Sequence, residues 1–258
     1  MSTAQVQVVA IAQRSIRRTL RQPAAIVFPL VFPILLLLVN TGGLKASTAL
    51  PGFPTDSFLA FALAVPFIQG ALFATMNAGT DLARDIQTGF LNRLALTPIR
   101  GSALLAGTLT GIVIMGVAQA IFYLVVGLVF GVEFAAGPLG VPVLLAFAAL
   151  VALGFGSLGS FLALRTGSGE AIQAFFPVFF VFLFISSMST PRNLIAVDWF
   201  RYLATINPVS YLLECVRSLI ITGWDWTALA LGFGIATVIC VVAVTLASWA
   251  LTRRMERT

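Results

Sequence analysis

The sequence predicts an all-α, polytopic membrane protein with six transmembrane helices in a single domain, residues 1–258. Hydrophobic residues make up 59% of the chain and charged residues only 9%, a composition that soluble domains do not share. The charged residues are spaced so that six long uncharged stretches lie between them, each apolar enough to cross a hydrocarbon core of about 30 Å. These stretches are residues 22–44, 57–80, 101–132, 134–164, 171–191 and 226–252.

Basic residues are distributed unevenly between alternate loops, and this orients the spans. One set of segments holds Arg14, Arg17, Arg18, Arg21, Arg84, Arg93, Arg100, Arg165, Arg253, Arg254 and Arg257. The alternate loops hold only Lys45, Arg192, Arg201 and Arg217. The positive-inside rule therefore predicts that both termini are cytoplasmic, which agrees with an even number of spans.

Residues 1–22 form a basic segment before the first span. On a helical wheel the basic face carries Arg14, Arg17, Arg18 and Arg21, and the opposite face carries Val9, Ala12, Ile16 and Leu20. This pattern predicts an amphipathic helix lying on the cytoplasmic leaflet. An ordinary polybasic flank is the alternative. The uncharged run that follows is too long for the apolar region of a signal peptide, contains three prolines and shows no convincing small-residue cleavage site, so we expect an uncleaved first span.

The chemistry that the sequence lacks excludes several functions. It has no glycine-rich phosphate loop, and its single lysine, Lys45, follows Leu44 in a predicted external loop, so this chain cannot hydrolyse nucleotide itself. Two cysteines and no histidine leave no plausible zinc site. The six spans carry no ionisable residue to serve a coupling ion or to activate a nucleophile. Catalysis, bound cofactors and bound metals are therefore not expected of this chain.

The cytoplasmic stretch 81–101 departs from a simple short loop. Its apolar residues Ile86, Phe90, Leu91 and Leu94 recur at helical spacing, and Pro98 ends the helix before the third span. A short amphipathic helix of this kind fits a groove on a soluble partner. The alternative is an interfacial helix that only caps the bundle.

The external stretch 192–225 is the second departure. Residues 208–223 are apolar but too short to span a membrane, and they contain Glu214 and Arg217. Because these two residues are three apart, they share a helix face and can pair, which would lower the cost of partial burial. The pattern predicts a re-entrant helical hairpin packed against the last two spans. The alternative is a surface helix held at the interface by the aromatic residues Trp199, Tyr202, Tyr211, Trp224 and Trp226.

Two motifs stand out in these two stretches. The loop motif consists of Asp85, Gly89, Phe90, Arg93, Leu94 and Pro98. The motif before the last span consists of Asn207, Pro208, Tyr211, Glu214, Arg217 and Gly223. Together they resemble the motifs of ABC-2-type exporter permeases, and of the daunorubicin-resistance-like branch in particular. The resemblance covers nearly the whole chain. One departure is Thr108, which stands where the family commonly has a basic residue after the glycine matching Gly107.

The resemblance implies an assembly in the bacterial cytoplasmic (inner) membrane. Two permeases, identical or paired with a sister subunit, would bind two copies of an ATP-binding subunit, and ATP and Mg would be held by that partner alone. Residues 1–22 would form a connecting helix, 81–101 the coupling loop and 192–225 an external lid. The residues expected to contact the ATPase are Arg84, Asp85, Thr88, Gly89, Phe90, Arg93, Leu94 and Pro98.

The fifth span is rich in phenylalanine. One stripe contains Phe175, Phe179 and Phe182, and a neighbouring stripe contains Phe176, Phe180 and Phe184. We predict a substrate cavity lined by Phe175, Phe176, Phe179, Phe180 and Phe182, which would suit an apolar or amphipathic drug or lipid. Contact with lipid or with neighbouring helices is the alternative. Small residues four apart, such as Gly107 with Gly111, predict close helix packing in the third, fourth and sixth spans.

Three functions are consistent with these features. The first is an exporter permease driven by a separate ATPase and moving hydrophobic or amphipathic substrates. The second is a channel or lipid scramblase that works without nucleotide. The third is a membrane assembly protein whose loops only recruit partners. None of the three involves nucleic acid, because no basic stripe interleaved with aromatics lies outside the membrane.

Overall fold

The computed structural model describes residues 3–95 and 101–255, and the regular elements in these ranges are all helical. The α-helices are α1 (Thr3–Leu20), α2 (Pro23–Leu44), α3 (Phe58–Ala62), α4 (Ala64–Gln87), α5 (Phe90–Ala95), α6 (Gly101–Val129), α7 (Gly137–Thr166), α8 (Gly169–Phe184), α9 (Asp198–Ile206), α10 (Pro208–Arg217) and α11 (Trp226–Met255). Short 3₁₀ turns cover Lys45–Ala49 and Arg192–Leu194, and a π-helical turn covers Ser218–Thr222.

Five helical segments of the described chain are long and apolar enough to cross a membrane. They are Pro23–Ala49, Phe58–Gln87, Gly101–Val129, Gly137–Thr166 and Trp226–Met255. The remaining predicted span, 171–191, contains the apolar helix α8, which has 16 residues and a length of about 24 Å. The all-α, polytopic fold is therefore confirmed, and the fifth of the six predicted spans contains a helix shorter than the segment expected to cross.

The bundle has two ends, which we name by their landmarks. The elbow end carries the turn between α4 and α5, and the hairpin end carries α9 and α10, the two helices of the stretch predicted to form a helical hairpin. Helix α4 runs from the hairpin end to the elbow end and is the most buried of the long helices.

Helices α4 and α7 pack backbone to backbone at the centre of the bundle. A Cβ atom added at Gly159 would lie 2.0 Å from the carbonyl oxygen of Thr75, and one added at Gly79 would lie 2.9 Å from the carbonyl oxygen of Gly159. The buried Thr75 hydroxyl donates to the carbonyl of Phe155 at 2.9 Å. In lipid, helices commonly associate through small residues that let their backbones approach closely and through hydrogen bonds between the helices.

The small residues predicted to allow close helix packing do so, but one stripe has an unexpected partner. Gly107 and Gly111 of α6 lie against α1, where Cβ atoms added to them would come within 2.7 Å of Ile11 and 2.9 Å of Ser15. The amphipathic N-terminal helix thus lies along the elbow half of α6. Gly232 of α11 lies against Cys215 of α10 in the same way, which holds the hairpin to the last span.

Candidate functional site at the elbow and the hairpin

The elbow, residues 84–95, turns the chain sharply after α4. Helix α4 ends at Gln87, and Thr88 caps it with a hydroxyl that donates to the carbonyl of Arg84 at 2.8 Å. Gly89 then adopts a φ of +68°, a left-handed conformation that glycine reaches without a steric penalty. Helix α5 begins at the next residue, and Arg93 closes the turn by donating to the carbonyl of Thr88 at 3.1 Å.

Two arginines of α1 bind two aspartates of α4 beside the elbow, and we call these four residues the charged cluster. Arg14 donates to both oxygens of Asp85 at 2.8 Å. Arg18 lies 2.8 Å from Asp85 and 3.2 Å from Asp81. The Arg14 guanidinium also lies 3.9 Å from the centre of the Phe90 ring, so α1 contacts both helices of the turn.

Within the charged cluster, Arg14 is held in its charged form by Asp85. The hydrogen bonds from Arg14 to Asp85 raise the pKa of the Arg14 guanidinium although partial burial opposes the charged form. A fork-to-fork arginine–carboxylate pair is stronger than a single contact, and sharing Asp85 between two arginines makes a network of the ion pairs. The position of the elbow is therefore tied to that of α1.

The predicted coupling residues divide between two sides of the elbow. Asp85 and Phe90 face α1, whereas Arg84, Thr88 and Arg93 have exposed side chains. Gly89 forms the turn itself, with nothing within 4 Å of its added Cβ position. Of the remaining predicted residues, Leu94 belongs to α5 and Pro98 lies outside the described residues.

The hairpin turns at Asn207, whose side chain makes contacts in two directions. Its Oδ1 accepts a hydrogen bond from the amide of Val209, which caps α10, and Pro208 occupies the first helical position. Its Nδ2 donates to the carbonyls of Phe182 and Ile185 at 2.5 Å and 2.8 Å. These carbonyls belong to the end of α8, so Asn207 joins the hairpin to the fifth span.

Glu214 pairs with Arg192 and not, as the sequence suggested, with Arg217. The Nε and Nη2 atoms of Arg192 donate to the two oxygens of Glu214 at 2.7 Å and 2.5 Å. The Arg192 guanidinium also lies 4.4 Å from the centre of the Tyr211 ring. Desolvation opposes the charge of Arg192, and the contacts with Glu214 and Tyr211 outweigh it, so its pKa lies above the usual value. The spacing of residues along α10 did not predict this partner, because Arg192 belongs to another segment.

Arg217 is buried and donates to main-chain carbonyls from two other segments. Its Nε lies 3.0 Å from the Phe61 oxygen, Nη1 lies 2.6 Å from the Ser187 oxygen, and Nη2 lies 2.7 Å from the Met188 oxygen. Ser187 and Met188 follow α8 in non-helical backbone that is buried. Buried irregular backbone requires such internal donors, which explains how the chain can leave helix α8 at this point.

Most of the chain is similar to proteins of one transporter family. The sequence profile of the ABC-2 type transporter family matches residues 6–221. The chain belongs to this family. It is 28% identical over 228 residues to the "Putative transport permease ycf38" of Porphyra purpurea, covering 86% of this chain and 76% of that protein. It is 28% identical over 248 residues to the "Daunorubicin resistance ABC transporter permease protein DrrB1" of Streptomyces coeruleorubidus, covering 91% and 80% respectively.

Membership makes this ABC-2 permease a multi-pass membrane component of a transporter. Permeases of this family typically pair with an ATP-binding subunit. The predicted resemblance to ABC-2 permeases is thus confirmed, and the DrrB1 relative agrees with the branch that was named.

The two phenylalanine stripes of the permease lie in different surroundings. Phe176 and Phe180 are 4.6 Å apart between ring centres, and they join a cluster that includes Phe73 of α4, 5.4 Å from Phe176, and Phe32 of α2, 6.3 Å from Phe180. Phe175 and Phe182 of the other stripe are exposed on the surface of the bundle, and Phe179 is half-buried.

Sequence reasoning missed the role of α1 in this permease. The basic face predicted an amphipathic helix on the cytoplasmic leaflet and gave no partner within the chain, yet Arg14 and Arg18 are bound to aspartates of α4. The spacing of Asp81 and Asp85, one helical turn apart and facing two arginines that are also one turn apart, is the signal that could have indicated it.

Proposed function

We propose that this chain is the permease subunit of an ATP-driven exporter that moves apolar or amphipathic compounds out across the cytoplasmic membrane. The family supports a transporter, and the name of the daunorubicin-resistance relative supports drug-like cargo. Two permeases, identical or paired with a sister subunit, would bind two copies of an ATP-binding subunit that holds ATP and Mg.

The observation that carries this proposal is the elbow. An exposed set of side chains, Arg84, Thr88 and Arg93, stands on a turn that two arginines of α1 hold in place. A turn anchored in this way transmits a push from a soluble partner to α4 and α1 instead of absorbing it. We assign Arg84, Thr88 and Arg93 to contact with the ATPase, and Asp85 and Phe90 to anchoring the turn on α1.

Capture of the partner tests this proposal. The permease is purified in mild detergent from cells that also produce the ATP-binding subunit encoded beside it. We expect the wild type to capture that subunit and Arg93→Glu to lose most of the capture, because a reversed charge faces the partner. Arg201→Glu at the hairpin end is the control and should capture normally. No capture by the wild type, or equal capture by all three proteins, would overturn the assignment.

Flux in vesicles separates this function from a channel or scramblase. The reconstituted complex should move rhodamine 6G, a lipophilic cation, only when ATP is supplied on the side of the ATPase. Flux of equal rate without ATP would favour an ATP-independent pathway instead.

The phenylalanines of α8 supply the proposed cargo surface. Replacing Phe179 and Phe182 by alanine should weaken the stimulation of ATP hydrolysis by rhodamine 6G, since a few large rings provide much of the apolar contact area. The matched control is Phe130→Ala, an exposed ring in the turn directly after α6. An unchanged dose response for the α8 variant would remove these rings from the cargo site.

A further inference from the structure

Helix α2 contains two interior prolines, and each leaves a carbonyl without its helical donor. Proline has no amide hydrogen, so Pro29 cannot bond to the carbonyl of Ala25, and Pro33 cannot bond to the carbonyl of Pro29. Inside a membrane such carbonyls must find another donor. Prolines at these positions are also the usual cause of bends in helices.

Each freed carbonyl is met by a side chain from a different helix. Asn77 of α4 donates its Nδ2 to the carbonyl of Ala25 at 3.2 Å. Tyr123 of α6, buried to 1% exposure, donates its hydroxyl to the carbonyl of Pro29. The part of α2 that contains its two interior prolines is therefore held by α4 on one side and by α6 on another.

Asn77 also continues the charged cluster along α4. Asn77, Asp81 and Asp85 are spaced four residues apart, so they lie on one face of the helix. Asn77 binds α2, whereas Asp81 and Asp85 bind Arg18 and Arg14 of α1. The three residues form a polar ladder that holds α1 and α2 to α4 from the elbow up to the first proline.

The space beside this contact is not filled. A cavity of about 120 Å³ lies between α1, α2, α4 and α6. Its lining includes Ala25, Leu30, Asn77 and Gln119, that is, both sides of the contact between Asn77 and α2. The elbow-side part of α2 can thus shift toward its neighbours without displacing packed side chains.

We propose that Asn77 and Tyr123 are positioning residues that hold α2 in its present conformation, and that α2 bends at Pro29 and Pro33 when the elbow moves. Movement of α4 at the elbow would act on α2 through the polar ladder. This inference rests on the proposed function, because it assumes that the elbow receives the motion of an ATPase.

Replacing the prolines gives a rescue experiment, which separates the effect of the lost hydrogen bonds on stability from the effect of the prolines on movement of α2. Asn77→Ala leaves the carbonyl of Ala25 without a donor, and adding Pro29→Ala restores an amide that can bond to it. Tyr123→Phe and Pro33→Ala form the second such pair. We expect each single polar variant to lower the thermal unfolding temperature in detergent and each added proline replacement to recover it. A single variant as stable as the wild type would show that the carbonyl did not need its donor.

The combined rescue variant Asn77→Ala/Pro29→Ala/Tyr123→Phe/Pro33→Ala then tests the bend. Spin labels are placed on cysteines at Val27 of α2 and Val241 of α11, both exposed, in the complex with its ATP-binding subunit. Trapping the wild-type complex with ATP and vanadate should shift the distance between the labels. The rescue variant should fold and capture the ATPase normally but lose this shift. The matched control is a label pair at Val39, which lies beyond both prolines of α2, and Val241.

The outcomes separate the two proposals. Absence of ATPase capture by the wild type would count against the proposed function itself. A wild-type complex that hydrolyses ATP while the rescue variant shows the full distance shift would overturn the bend at the prolines and leave the function standing.

Discussion

The guanidinium carbon of Arg217 lies 3.6 Å from the centre of the Phe61 ring, and its Nε donates to the carbonyl oxygen of the same residue at 3.0 Å. Phe61 lies in α3, where the second span begins, and Arg217 ends α10. No carboxylate of the described residues lies within ion-pair distance of Arg217, so carbonyl dipoles and an aromatic ring stabilise its charge. One side chain thereby joins the hairpin to the second and fifth spans.

Arg217→Met should destabilise the protein severely. The substitution keeps much of the apolar volume but leaves the carbonyls of Phe61, Ser187 and Met188 without their donor. Each unsatisfied buried group costs about 1–3 kcal/mol, so we expect a loss on the order of 3 kcal/mol or more in the free energy of unfolding. Thermal unfolding in detergent measures it. Arg201→Met, which removes an exposed ion pair with Asp198, should cost about 1 kcal/mol or less. Equal losses would contradict the account of Arg217.

Gly159→Ala should disrupt the contact between α4 and α7. The added Cβ would lie 2.0 Å from the Thr75 carbonyl oxygen, which is backbone of a packed helix and cannot rotate away. Overpacking of this kind costs typically 1–3 kcal/mol, and we expect a value at or above the upper end. Gly234→Ala in α11 is the control, since nothing lies within 4 Å of its added Cβ. The measurement is the yield of monodisperse protein and its unfolding temperature. A wild-type unfolding temperature for Gly159→Ala would show that the two backbones are not in contact.

Gly89 should be replaceable by asparagine more easily than by valine. Its φ of +68° is strained for side chains other than glycine, while the surrounding space is open. Asparagine tolerates this region, whereas a β-branched residue does not, and the ordinary penalty is about 1–2 kcal/mol. Capture of the ATP-binding subunit should therefore survive Gly89→Asn and decline with Gly89→Val. The opposite order would mean that side-chain volume against the partner matters more than backbone conformation.

Asp85→Asn should loosen α1 from the elbow. The change keeps the shape of the side chain but removes the charge that Arg14 and Arg18 share. Hydrogen exchange of the amides in α1 should become faster by several-fold, corresponding to a loss of about 1 kcal/mol in the local opening free energy. Glu170→Gln, at an exposed carboxylate at the start of α8, should leave exchange in α1 unchanged. Unchanged exchange in Asp85→Asn would show that packing of α1 against Gly107 and Gly111 of α6 alone holds α1.

Much of the fold could be predicted from local patterns in the sequence. Runs without charge predicted the membrane helices, because every charged residue type is costly to place in lipid without a partner. The hairpin and the elbow were also predicted, since proline, glycine and apolar spacing act locally. The length of α8 was not predicted: its end depends on Asn207 and Arg217, which reach its carbonyls from residues further along the chain.

At the candidate site, the sequence did not predict which residues of different segments contact each other. Glu214 was assigned to Arg217 because the two share a helix face, but Arg192 lies nearer in space. The Asp85 of the predicted coupling motif was assigned to a partner protein, whereas two arginines of α1 bind it within this chain. Helical spacing reports only contacts within one helix, and both of these pairings join different helices.

The sequence by itself determined that this chain lies in a membrane, that its backbone is helical and where its motifs fall, since these properties depend on the transfer of each segment into lipid and on local backbone preference. The tertiary structure alone decided which polar groups meet: Asn77 with Ala25, Tyr123 with Pro29, and Arg217 with Phe61. The physical reason is that a polar group excluded from water must take whichever donor or acceptor the packing of other helices brings within hydrogen-bond distance.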